Sequence, residues 1–377
     1  MIASSNKQTV NQEKTMTLSR RNVLKIGGAA AALPLLGGRA FAQAEPLKVG
    51  FIYVGTINDN GYNYAHNQGR LYLEEQLGDA VETTYVENVP EGPDCERVLR
   101  ELAQQGNKLI FTTSFGYMNP TLKVARQFPD VTFIHSTGYK TAPNVGVTNS
   151  RFYEARYLAG IVAGKMTESN IIGYVGAFPI PEVLQGINAF TRGIRSVNPD
   201  AEVRVIWANS WYDPGKERDA ALALLGQGAD IITHHTDSTA TVQAAEERGK
   251  YAVAYHSDMS RFAPKAQLVA VTHHWGDYFT DVARKVLDGS WESNMIWGGL
   301  KEGMARVEGF GPAVPEDVRA LVEEKKQAII AGTLTPFDAP VKDNTGKVVL
   351  ESGSLDDDAL HRMNYYVEGV VGKLPSR

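Results

Sequence analysis

From Leu47 onward, apolar runs of four to six residues alternate with amphipathic stretches of ten or more, the rhythm of repeated βαβ units. The runs predict strands at Val49 to Val54, Thr83 to Val86, Leu109 to Thr112, Val131 to His135, Ile171 to Val175, Val203 to Trp207, Ile231 to His234, Tyr251 to Tyr255 and Leu268 to Val271. Helices are predicted around Ala65/Gly69/Tyr72/Leu73, Val98/Leu99/Leu102, Tyr157/Leu158/Ile161/Val162, Ile187/Phe190/Ile194 and Ala220/Leu224/Leu225. Gly78, Gly106, Gly228, Gly249 and Gly289 fall where these helices should stop, and Asp213-Pro214 reads as a capped helix start. Near-continuous apolar strands are buried on both faces, so the fold class is α/β with parallel sheets.

The strand series divides near Asn149 to Glu154. Residues 46–150 with about 275–312 are expected to form one lobe, and 151–274 with about 313–377 the other. The helix Tyr278 to Leu287 and the segment Trp297 to Phe310 return to the first lobe in this reading. A terminal helix starts over Pro315 to Ala331, and the tail from Pro336 to Asp358 reads as ordered loops or a hairpin around Asn344-Thr345-Gly346. A length of 377 residues, 43% hydrophobic and 21% charged, agrees with two globular lobes.

Residues 1–45 change the picture because they read as an export signal. Ser19-Arg20-Arg21-Asn22-Val23-Leu24-Lys25 is a paired-arginine region, and Ile26 to Leu36 is a mild apolar core. Small residues at Ala40-Phe41-Ala42 and Ala42-Gln43-Ala44 offer cleavage near Ala42 or Ala44, and Met16 is a candidate start. The apolar core is shorter than the roughly 20 residues that span a bilayer. A net charge of -5 without a basic stripe argues against a nucleic-acid partner. The single cysteine, Cys95, excludes an intramolecular disulfide and any CxxC motif.

In open α/β sheets, ligands bind beyond the carboxyl ends of the strands. Four loops at such ends carry rings or carboxylates: Asn58 to Asn63, Ser114 to Tyr117, Asn209 to Asp213, and His256-Ser257-Asp258. Rings give stacking surface and Asp or Asn gives directional hydrogen bonds, which suits a planar polar heterocycle. Taken singly, each has a structural reading: Tyr62 as a packing anchor, Asp59 or Asp213 as a helix cap, Trp211 as a rim residue. Recurrence at four strand ends favours a site. The sequence lacks G-x-S-x-G, the phosphate-loop motif, H-E-x-x-H and a G-x-G-x-x-G after a strand, which shifts the weight toward binding. Five of the eight histidines lie between His234 and His274. Adjacent strand residues face opposite sides, so a ligand hydrogen bond from one or two histidines fits better than a metal centre.

The chain resembles the basic membrane protein family, substrate-binding components of ABC importers that include a purine nucleoside receptor. The resemblance rests on Asn58-Asp59-Asn60-Gly61-Tyr62-Asn63, on Tyr157-Leu158-Ala159-Gly160-Ile161-Val162-Ala163-Gly164-Lys165-Met166, and on Ile172-Gly173-Tyr174-Val175-Gly176. Trp211-Tyr212-Asp213-Pro214, Gln227 to Ile232 and His256-Ser257-Asp258 complete it. It implies the type I periplasmic-binding-protein fold, two lobes closing over a ligand, with no cofactor. By the same resemblance Tyr62, Phe115 and Trp211 are expected to face the ligand. Asp59 and Asn63 would be polar contacts, and Asp258 the carboxylate that holds ribose.

Two departures bear on the ligand. Thr236-Asp237-Ser238 stands where nucleoside binders carry a small Gly-Gly element, and His273-His274-Trp275 where they carry a Lys. The added bulk would fill the ribose space, so a free purine base or related heterocycle is expected, with Asp237 or His273 on its polar edge. No Cys stands at the cleavage site for a lipid anchor, and a freely diffusing periplasmic monomer that serves an inner-membrane permease is expected. Two other classes remain open: an exported purine nucleoside hydrolase using Asp59, Asp237 and Asp258, and a sensor subunit that presents ligand to a receptor.

Overall fold

Burial on both faces turns the apolar runs into parallel strands, and the amphipathic stretches into helices that cover the sheets. In the computed structural model, residues 45–375 are described; the signal and its cleavage sites lie outside them. The order begins β1 (Leu47–Ile52), α1 (Tyr62–Leu77), β2 (Val81–Val86), α2 (Pro93–Gln104), β3 (Leu109–Thr112), α3 (Met118–Ala125), β4 (Thr132–Ser136) and β5 (Val145–Ser150). It continues with α4 (Phe152–Met166), β6 (Ile171–Gly176), α5 (Pro181–Val197), β7 (Glu202–Trp207), α6 (Pro214–Gly226), β8 (Ile231–His235), α7 (Ala240–Glu247), β9 (Tyr251–His256) and β10 (Gln267–His273). After that come α8 (Gly276–Asp288), β11 (Met295–Gly298), β12 (Ala305–Glu308), α9 (Glu316–Ile330), β13 (Val341–Lys342), β14 (Val348–Leu350), α10 (Asp357–His361) and β15 (Val370–Val371).

The first sheet has the order β11-β5-β4-β3-β1-β2, with every pair parallel. The second has the order β12-β10-β9-β8-β6-β7-β15, parallel except where β12 runs against β10. The chain crosses between the sheets after β5, after β10 and after β11. The predicted return of Trp297 to Phe310 to the first lobe therefore holds only through Gly298. Beyond it, β12 closes the open edge of β10, and Glu308 accepts a hydrogen bond from Thr272 at 2.7 Å and contacts His274 at 3.0 Å. A hairpin of β13 and β14 encloses Asn344-Thr345-Gly346.

The glycines of the Tyr157 to Met166 motif are explained by packing. A Cβ at Gly160 would sit 2.2 Å from the Phe190 carbonyl oxygen, and one at Gly193 would sit 2.0 Å from that of Tyr157. Only hydrogen side chains let α4 and α5 approach so closely, and this pair anchors the larger core. In the first lobe, Phe51 and Phe111 stack on the sheet and Phe279 of α8 packs against both at an angle, while Trp275 lies against His66 at 4.5 Å.

Candidate ligand-binding cleft

A narrow cleft with about 30 Å³ of free space lies between the two sheets, lined by Val54, Tyr62, Ser114, Phe115, Thr137, Glu182, Trp211, His235, Asp237 and His256. That is far below the roughly 300–1,000 Å³ of small-molecule pockets, a range reached by the outer cleft of about 570 Å³ that shares Tyr62, Phe115, Thr137 and Glu182 with it. Every lining residue comes from a carboxyl-end loop, a strand terminus or the first turn of a helix, the location that parallel sheets reserve for ligands.

Of the eight residues expected from the sequence, Tyr62, Phe115, Trp211 and Asp237 meet on this wall. The other four do not line it. Asp59 is buried and accepts from the backbone N–H groups of Gly61, Asn63 and Tyr64 at 2.8, 3.2 and 3.0 Å. It thus caps α1, the structural alternative. Asn63 turns the same way, donating to Asp59 at 2.6 Å and accepting from the Gly55 N–H at 3.3 Å. Asp258 accepts from Ser260 N–H and Gln267 Nε2, both at 2.8 Å, and faces a groove beside α1. His273 lies behind the wall, stacked between His256 and Trp275 at 5.3 and 5.6 Å, and reaches only the outer part of the cleft.

Each lobe holds its loop rigidly. Glu91 accepts from Ser114 Oγ at 2.6 Å and Gly116 N–H at 3.0 Å, which fixes Phe115. Glu217, fully buried on α6, accepts from Thr236 Oγ1 and Ser238 Oγ at 2.8 and 2.6 Å and so sets the loop that carries Asp237. The Asp237 N–H donates to the Trp211 carbonyl at 2.9 Å, coupling the ring to the carboxyl. Two wall residues adopt left-handed backbone, Thr137 at φ 67° and His256 at φ 72°. For a β-branched threonine this costs of order 1–3 kcal/mol, the kind of strain concentrated at functional sites.

The lobes touch across the cleft. Asn60, also left-handed at φ 62°, receives hydrogen bonds from Ser257 Oγ on its carbonyl and from Arg261 on its side-chain oxygen. Gly61 packs directly on the Asp237 backbone. These contacts define a closed arrangement.

Electrostatically the wall holds carboxyls and neutral imidazoles and no lysine or arginine. Burial pushes Glu182 up to about 7, and raises Asp237 well above the carboxylate range with help from Asp59 and Glu217. Burial holds His235 and His256 far below 6.5, reinforced by neighbouring histidines and by Arg156. Arg156 is fully buried, 3.7 Å from the Tyr255 ring centroid, and donates to Thr233 Oγ1 at 2.9 Å. His256 Nε2 lies 3.2 Å from Asp237 Oδ1, but the geometry leaves that nitrogen without a hydrogen bond. Tyr62 Oη and His235 Nδ1 are also buried without partners. Unsatisfied polar atoms cost about 1–3 kcal/mol each, and a ligand with complementary groups would relieve them. Sequence reasoning did not single out Glu182 or Thr137, and flagged His235 only as one of the five histidines between His234 and His274. For Glu182 the available signal was its place just beyond the carboxyl end of β6.

The geometry agrees with three comparisons. A purine-binding protein of Brucella abortus is 55% identical over 342 residues, spanning 90% of this chain and 97% of that protein. A putative ABC transporter glucose-binding protein of Haloferax volcanii is 38% identical over 335 residues, spanning 89% and 83%. The solved structure of an ABC transporter solute-binding protein from Aeropyrum pernix shares the fold with a TM-score of 0.68 at 20% identity, covering 84% of this chain and 96% of that one. The fold is that of type I periplasmic binding proteins. A family model for twin-arginine export signals matches residues 17–37, so the chain is exported to the periplasm. A second family model, for PnrA-like ABC transporter substrate-binding proteins, matches residues 47–336. The chain belongs to this family of substrate-binding proteins.

Proposed function

We propose that the protein captures a free purine base, or a closely related planar heterocycle, and delivers it unchanged to an inner-membrane permease. The observation that carries this reading is the cleft itself: three aromatic rings, Tyr62, Phe115 and Trp211, enclose a small space edged by Glu182 and Asp237. Rings offer faces to a flat ligand and the carboxyls offer hydrogen bonds to its rim. Asp258, the residue expected to hold a ribose, is engaged by Gln267 and Ser260 instead. The Brucella relative is named for purine binding, which supports the same ligand class.

Ligand joins both lobes at once, and those added contacts favour closure. Residues 46–150 with 275–298, and 151–274 with 305–375, move as the two bodies, with bending at the three crossovers. No chemistry is required and the working unit is a monomer.

A sugar is the second reading, favoured by the name of the Haloferax relative. A thermal-shift panel of purine bases, nucleosides, pyrimidines and glucose separates the two. At 100 times its dissociation constant a ligand stabilises by about 2.7 kcal/mol, so adenine, guanine or hypoxanthine should raise the melting temperature and glucose should not.

A further inference from the structure

We propose that Glu182 is the residue that selects a free base over its nucleoside, by accepting the ring N–H that glycosylation removes. This rests on the purine reading above and assigns a division of labour within the cleft.

Two carboxyls face the space, and they differ. Asp237 is 3% exposed, lies within the influence of Asp59, Glu217 and Glu182, and has no cation beside it. Burial and those neighbouring carboxyls favour its protonated form. A neutral carboxylic acid presents one donor and one acceptor side by side, which matches the paired acceptor and donor on the amidine or lactam edge of a purine base.

Glu182 is different. It occupies the first turn of α5, and its carboxyl makes no hydrogen bond or ion pair among the described residues. It faces both the inner cleft and the outer cleft, toward which any substituent on the ligand would point. The groups around it are Tyr62 from α1, Asp237 after β8, and His235, Tyr255 and His256 from the strand ends, with Arg156 behind Tyr255. His273, Asp358, His361 and Arg362 line the outer cleft. The histidines of the inner wall are neutral and Arg156 is spent on Tyr255 and Thr233, so no partner competes for the Glu182 oxygens. An unpaired carboxylate at the edge of a ring-lined slot is an acceptor for an imidazole-type N–H. A free base carries that group, and an N9-substituted one does not.

A proton account follows. With Glu182 at about 7 in the empty cleft, its protonated form dominates at pH 6. The ionised form accepts a ligand N–H far more strongly than the protonated one, so binding at pH 6 sends nearly one proton from Glu182 to the buffer. Affinity should therefore weaken about tenfold between pH 8 and pH 6.

Calorimetry with adenine and 9-methyladenine, in two buffers of different ionisation enthalpy, tests this on wild type and Glu182→Gln. The isosteric amide keeps the shape and an acceptor but removes the charge and the titration. Expected are proton release by the wild type with adenine at pH 6, none by the variant, and an adenine preference over 9-methyladenine that shrinks at least tenfold in the variant. An unchanged preference, the signature of purely steric exclusion, overturns the assignment, as does wild-type binding of adenine without proton release. Failure of adenine, guanine and hypoxanthine alike to bind the wild type overturns the purine reading and this assignment with it.

Discussion

Gly61→Ala should abolish tight ligand binding while leaving the fold of each lobe intact. A Cβ at position 61 would lie 2.1 Å from the Asp237 carbonyl oxygen and 2.6 Å from its Cα. Both are backbone atoms, so no side-chain rotation relieves the contact. Gly61 belongs to the first lobe and Asp237 to the second, and the clash exists only when the two meet. The variant is thus held partly open, and a ligand touched by one lobe alone loses the contacts that closure provides. A loss of about 100-fold or more in affinity is expected, roughly 2.8 kcal/mol, with little change in the melting temperature of the unliganded protein. Calorimetry with the preferred base and small-angle scattering of the liganded form check it. Wild-type affinity in a compact variant would mean that the loops do not meet during capture.

Trp211→Ala is expected to have the next largest effect. The indole is partly exposed on the cleft wall, edge-on to Phe178 at 5.1 Å, and its main chain rather than its ring holds Asp237. Truncation therefore removes ligand contact and only the rim of the packing against the larger core. Buried aromatic surface at about 25 cal/mol per Å², with about 0.5–1.5 kcal/mol of stacking, puts the loss at about 2–4 kcal/mol, or 30-fold to several hundredfold in affinity. Stability of the empty protein should change by less than about 1 kcal/mol. Trp211→Phe should restore most of the binding, since a flat face is what the site uses. A variant that loses stability and affinity together would make Trp211 a packing residue instead.

The strands were legible where burial on both faces forces unbroken apolar runs, as in β1, β3 and β9. Strand β5 escaped because Val145-Gly146-Val147-Thr148-Asn149-Ser150 is buried yet half polar: its end enters the first crossover, where hydrogen-bonding side chains replace aliphatic ones. Helix α3 was hidden by Pro120 within it. In the cleft, the aromatic residues were readable only together, because each ring alone has a structural use and their recurrence at strand ends does not. Carboxylates were not. Asp59 and Asp258 satisfy backbone and side-chain donors, while Glu182, in an unremarkable Pro-Glu helix start, faces the ligand space. A carboxylate caps a turn or contacts a ligand with the same atoms, and only its three-dimensional neighbours decide which. The His256-Ser257-Asp258 loop makes the same point, since the imidazole reaches the wall and the carboxylate does not.

The central claim, capture of a free purine base between two closing lobes, is tested most directly by calorimetric titration of the purified periplasmic form with adenine, guanine and hypoxanthine, their nucleosides, and glucose. At least one base should bind more tightly than every nucleoside, and glucose should give no heat. Tighter binding of the nucleosides than of every base, or of glucose than of either, would contradict it.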